Sequence, residues 1–190
     1  MNNTQTFLPP IEKPKGLMMK VVYYFTKKQL GKVITPVKVF AARLPIAFGK
    51  MGAKVYQLDK KLVLSKEMIF LIRHQVARIN VCEFCMDISR YKAMEEIMNE
   101  EKISVISEYH SSPLFNDVER SALDYVTELT KDKKVNPETF SRMAAHYSER
   151  EICEIVYLVA SEHLSNITNI GLNIHSDMFC DISKKKDTGN

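Results

Sequence analysis

Two short spacings fix the kind of fold this chain can adopt: Asn116 with Glu119 three residues on, and Ser148 with Glu151 three residues on. The first is a capping arrangement and the second a capping box, in which side chain and backbone satisfy each other's free N–H groups at the start of a helix. The first opens a helix from Asp117 to about Leu129. The second opens a long helix through Ile155, Leu158, Val159 and Leu164, which Gly171 ends. Asn136 and Pro137 start a shorter helix to about Tyr147. Ser65 caps a helix that runs to Ile79 and breaks at Asn80 and Val81, and the next runs from Cys82 to about Met98. Upstream, Leu17 to Leu30 keeps a rough helical period before Gly31, although Val21 to Phe25 also suits a strand. Thr35 and Pro36 read as an N-cap and first-turn pair, opening a helix that Pro45 interrupts or restarts; Phe48, Met51, Val55 and Leu58 continue at helical spacing. No segment sustains strand alternation, so the expectation is an all-α fold.

At 190 residues the chain fits one domain that buries a core without disulfide staples. The expected plan is an extended arm at 1–15, punctuated by Pro9, Pro10 and Pro14, a helical domain at 16–181, and a flexible basic tail at 182–190. The start lacks a basic region leading into an apolar run, and no span approaches the length of a membrane helix, so a cytosolic protein is expected. Charge is uneven. Residues 1–66 carry thirteen Lys or Arg against Glu12 and Asp59, a net +11, and the remainder carries −7. Such a basic segment suits a solvated face, an acidic partner or the acidic half of a neighbouring subunit. Nucleic acid fits less well, because the lysines are dispersed through apolar helices without a binding motif.

Cys82 and Cys85 form the only close cysteine pair. Two thiols three residues apart in a first helical turn can close a small disulfide ring, and the helix dipole there favours a thiolate. The bland alternative is a pair of inert core cysteines. A zinc knuckle would need a second pair, and Cys153 and Cys180 stand at unrelated spacings. Cys153, between Ile152 and Val156, is expected in the core.

The run Arg-Ile-Asn-Val-Cys-Glu-Phe-Cys-Met-Asp-Ile-Ser around that pair resembles the active-site segment of the alkyl hydroperoxidase D and carboxymuconolactone decarboxylase superfamily, which reads S-Q-I-N-G-C-x-[YF]-C-x-D-x-H. The stretch from Ser112 to Ala160 resembles its downstream block, so that the likeness spans about residues 40–175. The resemblance implies a helical domain of that type, assembled as trimers or hexamers, with Cys85 attacking and Cys82 resolving. It implies a thiol–disulfide oxidoreductase or peroxidase in antioxidant defence, acting on a hydroperoxide or disulfide substrate. An external dithiol or lipoyl-type reductant would regenerate it, with no metal or bound cofactor, no nucleic acid and no membrane.

Relatives place a glutamate twelve residues before the first cysteine and a histidine four after the second, as a proton relay. Here those positions are Phe70 and Ser89, so weak peroxidase turnover is expected. Candidates to replace the relay are His74, one turn after Phe70, and His163. The latter falls in a stretch where relatives read aromatic-Asn-x-x-Asn and this chain has Glu162, His163 and Asn166. Arg78, four residues before Cys82, is a candidate to stabilise a thiolate. The rival readings are a non-catalytic helical binding protein that kept the fold, and a lactone decarboxylase, which would not use a redox dithiol.

Overall fold

The computed structural model describes residues 5–96 and 100–179. The expected tail at 182–190, Cys180 and the Met98 end of the active-site helix lie outside them. Among the described residues the fold is all-α, without a strand. The helices are α1 (Leu17–Leu30), α2 (Pro45–Asp59), α3 (Lys66–Ile79), α4 (Glu83–Glu96), α5 (Glu100–Ser104), α6 (Asp117–Asp132), α7 (Pro137–Ala144) and α8 (Glu149–Ile170). A π-helical turn at Val37–Ala41 and a 3-10 turn at Ile106–Glu108 complete the order. No helix is long and apolar enough to cross a membrane.

Most boundaries follow from the punctuation in the sequence. Both capping boxes form, Ser65 accepts from the Met68 N–H, Asn136 caps α7, and Gly31 ends α1 in the left-handed conformation. Four details differ. Thr35 does not cap a helix, because its N–H and hydroxyl both go to the Asp177 carboxylate, 2.9 and 2.6 Å away. Helix α6 runs three residues past Leu129, since Thr130 is still buried, and stops at a left-handed Lys133. Helix α7 stops at Ala144, and the chain turns so that the Tyr147 hydroxyl reaches Met68 and Val118. Cys153 is exposed and not core, because the face of α8 that packs inward is the row Ile155, Leu158, Val159 and Glu162.

The main core lies among α3, α6 and α8, built on Leu71, Ile72, Val76, Leu123, Val126, Ile155 and Leu158. A polar spine runs along its edge. Arg73 donates to Asp59 (2.9 Å) and to Glu162 (3.1 Å), joining α2, α3 and α8. Glu162 accepts from Asn166, whose side-chain oxygen accepts from Asn80 at the end of α3. Burial pushes the Glu162 carboxyl up, while Arg73 and Asn166 pull it down. A smaller layer packs Val39, Ala77, Phe84, Tyr91, Ile174 and Phe179 around the two cysteines. The arm is tied down by backbone bonds from Phe7 to Leu172 and from Ile11 to Lys38, and by Tyr23 and Arg43 reaching Ile11 and Pro9.

Candidate active site

The break between α3 and α4 places the two sulfurs. Asn80 closes α3, Val81 turns left-handed at φ 57°, and the Cys82 N–H returns to the Ala77 carbonyl (2.9 Å). The Cys82 carbonyl accepts the first bond of α4, from Met86 N–H, which makes Cys82 the N-cap and Cys85 the third helical residue. The motif that this segment resembles reads glycine where this chain has Val81, and the positive φ explains why a glycine suits that place. The cysteines form a disulfide with Cα atoms 5.2 Å apart, inside the usual range. Both are buried, Cys82 at 1% and Cys85 at 3% exposure.

Asn169 donates its side-chain N–H to Cys85 Sγ at 3.3 Å. The sulfur is half of a disulfide here; in the reduced protein the same donor would face a thiol or thiolate, and a hydrogen bond to the charged form favours it. Sequence reasoning missed Asn169. The signal was present, since Asn166 and Asn169 themselves stand at the Asn-x-x-Asn spacing, three residues beyond the alignment that used His163.

His74 meets Ser89. Its Nδ1 lies 2.7 Å from Ser89 Oγ, and that hydroxyl also lies 3.0 Å from the Met86 carbonyl. The hydroxyl hydrogen therefore has two acceptors within reach, one of them the imidazole. Ser89 follows Cys85 by four residues on α4, which puts the two side chains on one face a turn apart. Burial, then the charges of Arg78 and Arg90, lower the His74 pKa to about 4, so the ring is neutral near pH 7. Phe70, at the relatives' glutamate position, packs against the main core.

His163 is engaged elsewhere. Its Nδ1 accepts from Asn80 Nδ2 at 3.0 Å, tying α8 to the break before Cys82, and no bond joins it to Cys85 or Ser89. Arg78 donates from Nε to Gln75 at 3.2 Å and lines a cavity with His74, without a bond to either cysteine.

A strap at 171–179 covers the disulfide layer. Ile174 and Phe179 enter the layer, and Phe179 stacks on Tyr91 at 5.1 Å between centroids. Asp87 accepts from the Phe179 N–H and the Ser176 hydroxyl, His175 Nδ1 lies 2.9 Å from Glu83, and Asp177 holds Thr35. Lys32 Nζ reaches the Asp177 carbonyl and lies over the Phe179 ring.

No protein-family model matches the chain. In sequence it is 29% identical over 185 residues to the uncharacterized protein YnjA of Escherichia coli (strain K12), covering 94% of this chain and 98% of that one. In structure it matches a protein of unknown function from Agrobacterium tumefaciens, provisionally described as the antioxidant defence protein AhpD. That match has a TM-score of 0.67 and 25% identity, and covers 72% of this chain and 94% of the other. The debrominase Bmp8, as a cysteine-to-alanine variant bound to 2,3,4-tribromopyrrole, matches with a TM-score of 0.80 at 17% identity over 96% and 97% of the two chains. At that identity the likeness shows the fold alone.

Proposed function

The chain has the alkyl hydroperoxidase D-like fold of the carboxymuconolactone decarboxylase superfamily, and from that premise we propose that it is a dithiol peroxidase for small hydroperoxides in antioxidant defence. The observation that carries the reading is a disulfide-competent pair at a helix start, Cys82 at the N-cap and Cys85 at the third position, with Asn169 donating to Cys85. Helix dipole and amide both favour a thiolate on Cys85. That thiolate attacks the outer peroxide oxygen, the O–O bond breaks, and the alkoxide takes a proton and leaves as the alcohol. Cys85 is then a sulfenic acid, and Cys82 attacks its sulfur, releases water and closes the disulfide. An external dithiol, by two exchange steps, returns both thiols and becomes a disulfide itself.

Ser89 and His74 stand in for the relay. As the Cys85 proton moves to Ser89 Oγ, the hydroxyl passes its own to His74 Nδ1, and the reverse path supplies the leaving alkoxide. A ring whose pKa lies near 4 is a weak acceptor, which supports slow turnover. Burial of both sulfurs beneath the strap favours a small substrate over a protein disulfide, since a protein partner cannot reach them unless residues 171–179 move. The assembly belongs to the same reading: a trimer or hexamer, with exposed apolar side chains of α8 such as Leu164 and Ile167 packed between copies. Sedimentation at micromolar protein and moderate salt checks it, and a monomer there refutes it.

The test counts free thiols of the reduced protein before and after a stoichiometric alkyl hydroperoxide. Two thiols are lost in the wild type; in Cys82→Ser oxidation stops at the sulfenic acid, and in Cys85→Ser none follows. His74→Ala slows the oxidation by about 10², whereas His163→Ala changes it little. Unchanged thiols in the wild type refute the reading and leave a binding protein with this fold.

A further inference from the structure

A cavity of about 460 Å³ opens onto the relay, with His74 in its lining. It falls in the size range of small-molecule sites. Part of its lining is apolar, from Met86, Ile103 and Ile106. Arg78, also in the lining, is held in a defined plane. Its Nε donates to Gln75 Oε1 at 3.2 Å, and Gln75, which has no exposed surface, donates in turn to Thr127 Oγ1 at 2.8 Å. The two terminal amino groups of Arg78 are left with no acceptor among the described residues. Such a fork, fixed by its Nε, suits a planar two-oxygen anion.

Two acids also line the cavity, Glu83 and Asp87, and both are committed to the strap: Glu83 faces His175, and Asp87 accepts from Phe179 N–H and Ser176. Neither bonds to Arg78. Arg90 also lines the cavity, so its two acids are balanced by two guanidiniums, and the site without net charge suits a singly charged carboxylate on the Arg78 fork better than a doubly charged phosphate. We infer that this cavity binds the carboxylate end of a small, otherwise apolar substrate, with Arg78 holding both carboxylate oxygens and Met86, Ile103 and Ile106 packing its carbon chain. With the peroxidase reading as its basis, the substrate class narrows to carboxylate-bearing alkyl hydroperoxides. The arrangement also couples binding to chemistry. Arg78 helps keep the neighbouring His74 a weak base, and an anion on Arg78 offsets that field and lets the ring take a proton more readily.

The site is tested without turnover. Octanoate, methyl octanoate and inorganic phosphate are titrated by calorimetry into the oxidised wild type, Arg78→Gln and Arg78→Lys, with thermal melting as the check on folding. Octanoate is expected to bind the wild type, tenfold or more tighter than either the ester or phosphate, and to weaken about tenfold in Arg78→Gln. Arg78→Lys, which keeps the charge and loses the fork, should fall between. If Arg78→Gln does not fold, the comparison of octanoate with its methyl ester in the wild type decides alone. Equal binding of acid and ester, phosphate binding as tight as octanoate, or no octanoate binding overturns the inference. So does a folded Arg78→Gln that binds like wild type. In parallel, kcat/KM is measured for a carboxylate-bearing hydroperoxide and its methyl ester. Arg78-dependent octanoate binding without peroxide consumption leaves the site standing and refutes the peroxidase reading. Equal turnover of acid and ester without octanoate binding does the reverse.

Discussion

The core among α3, α6 and α8 and the layer around Cys82 and Cys85 are built by opposite means. The core is made of capped helices whose apolar faces meet, and its polar edge is closed by Arg73 between Asp59 and Glu162. The cysteine layer is assembled from pieces distant in the chain: the start of α4, the π-helical turn, and the strap at 171–179. Its polar ties run from irregular backbone and polar side chains to the carboxylates of Asp87, Asp177 and Glu83. A region held that way opens at lower cost than a packed helical core. The contrast puts the paired sulfurs in the layer expected to open first, beside a scaffold of packed helices.

The strongest way to break the comparison is to cut the spine of the core. Arg73→Ala leaves Glu162, at 7% exposure, without its cation; breaking such a buried pair typically costs about 3 to 5 kcal/mol. Urea denaturation should show that loss as one transition, with the cysteine layer lost together with the core, because α8 carries both Glu162 and Asn169. Two separated transitions would mean that the layer folds independently.

How far each region could be read from sequence follows the same division. The core was legible because its signals are local: Asn116 with Glu119, Ser148 with Glu151, and Ser65 each satisfy N–H groups within three residues. The cysteines were legible for the same reason, as a spacing of three at a helix start. The rest of the site depends on pairings across the chain. Ser89 meets His74 from fifteen residues away, Asn169 meets Cys85 from eighty-four, and Asp177 meets Thr35 from a hundred and forty-two. Spacing singles out some of these residues, as it does Asn166 and Asn169, but nothing local says which partner each one meets. Thr35 illustrates the failure: next to Pro36 it has the composition of an N-cap, yet a distant carboxylate takes both its groups.

The next largest effect is a dependence on pH located at His74. Its pKa is about 4 in the folded protein and 6.5 in the unfolded chain, so between those values the unfolded state binds more protons. The stabilisation is full above pH 6.5 and is lost as pH falls towards 4, by up to about 3 kcal/mol. Denaturant midpoints from pH 7.5 to 4 should fall across that window in the wild type and flatten in His74→Gln. An unchanged slope in that variant would assign the acid sensitivity to other groups.

A smaller and more selective effect separates the two regions. Asp177→Ala removes the acceptor for the Thr35 N–H and hydroxyl, and bonds to a charged acceptor contribute about 1.5 to 3 kcal/mol. If the strap opens on its own, reduction of the disulfide by a small dithiol should speed up about tenfold or more, with the urea midpoint of the helices little changed. A matching drop in that midpoint would mean that strap and core open only together.

The smallest effect lies at the hinge between the regions and has the opposite sign. Val81 sits at φ 57°, where a side chain with a branched β-carbon is costly, about 1 to 2 kcal/mol. Its side chain is 71% exposed, so little packing opposes the strain. Glycine adopts that conformation freely but loses more conformational freedom on folding, about 0.5 to 1 kcal/mol. The difference leaves Val81→Gly more stable than wild type by roughly 0.5 to 1 kcal/mol, read as a rise in urea midpoint. Val81→Ala keeps a β-carbon and should gain less. The two substitutions also separate two accounts of the hinge. If the left-handed turn only joins α3 to α4, Val81→Gly raises stability and leaves the rate of Cys85 oxidation as it was. If the valine also limits how far Cys82 moves when the disulfide opens, the glycine variant gains stability as the oxidised protein and closes its disulfide more slowly from the reduced one. A loss of stability in both variants would show that the exposed valine side chain contributes more to the hinge than its backbone strain removes.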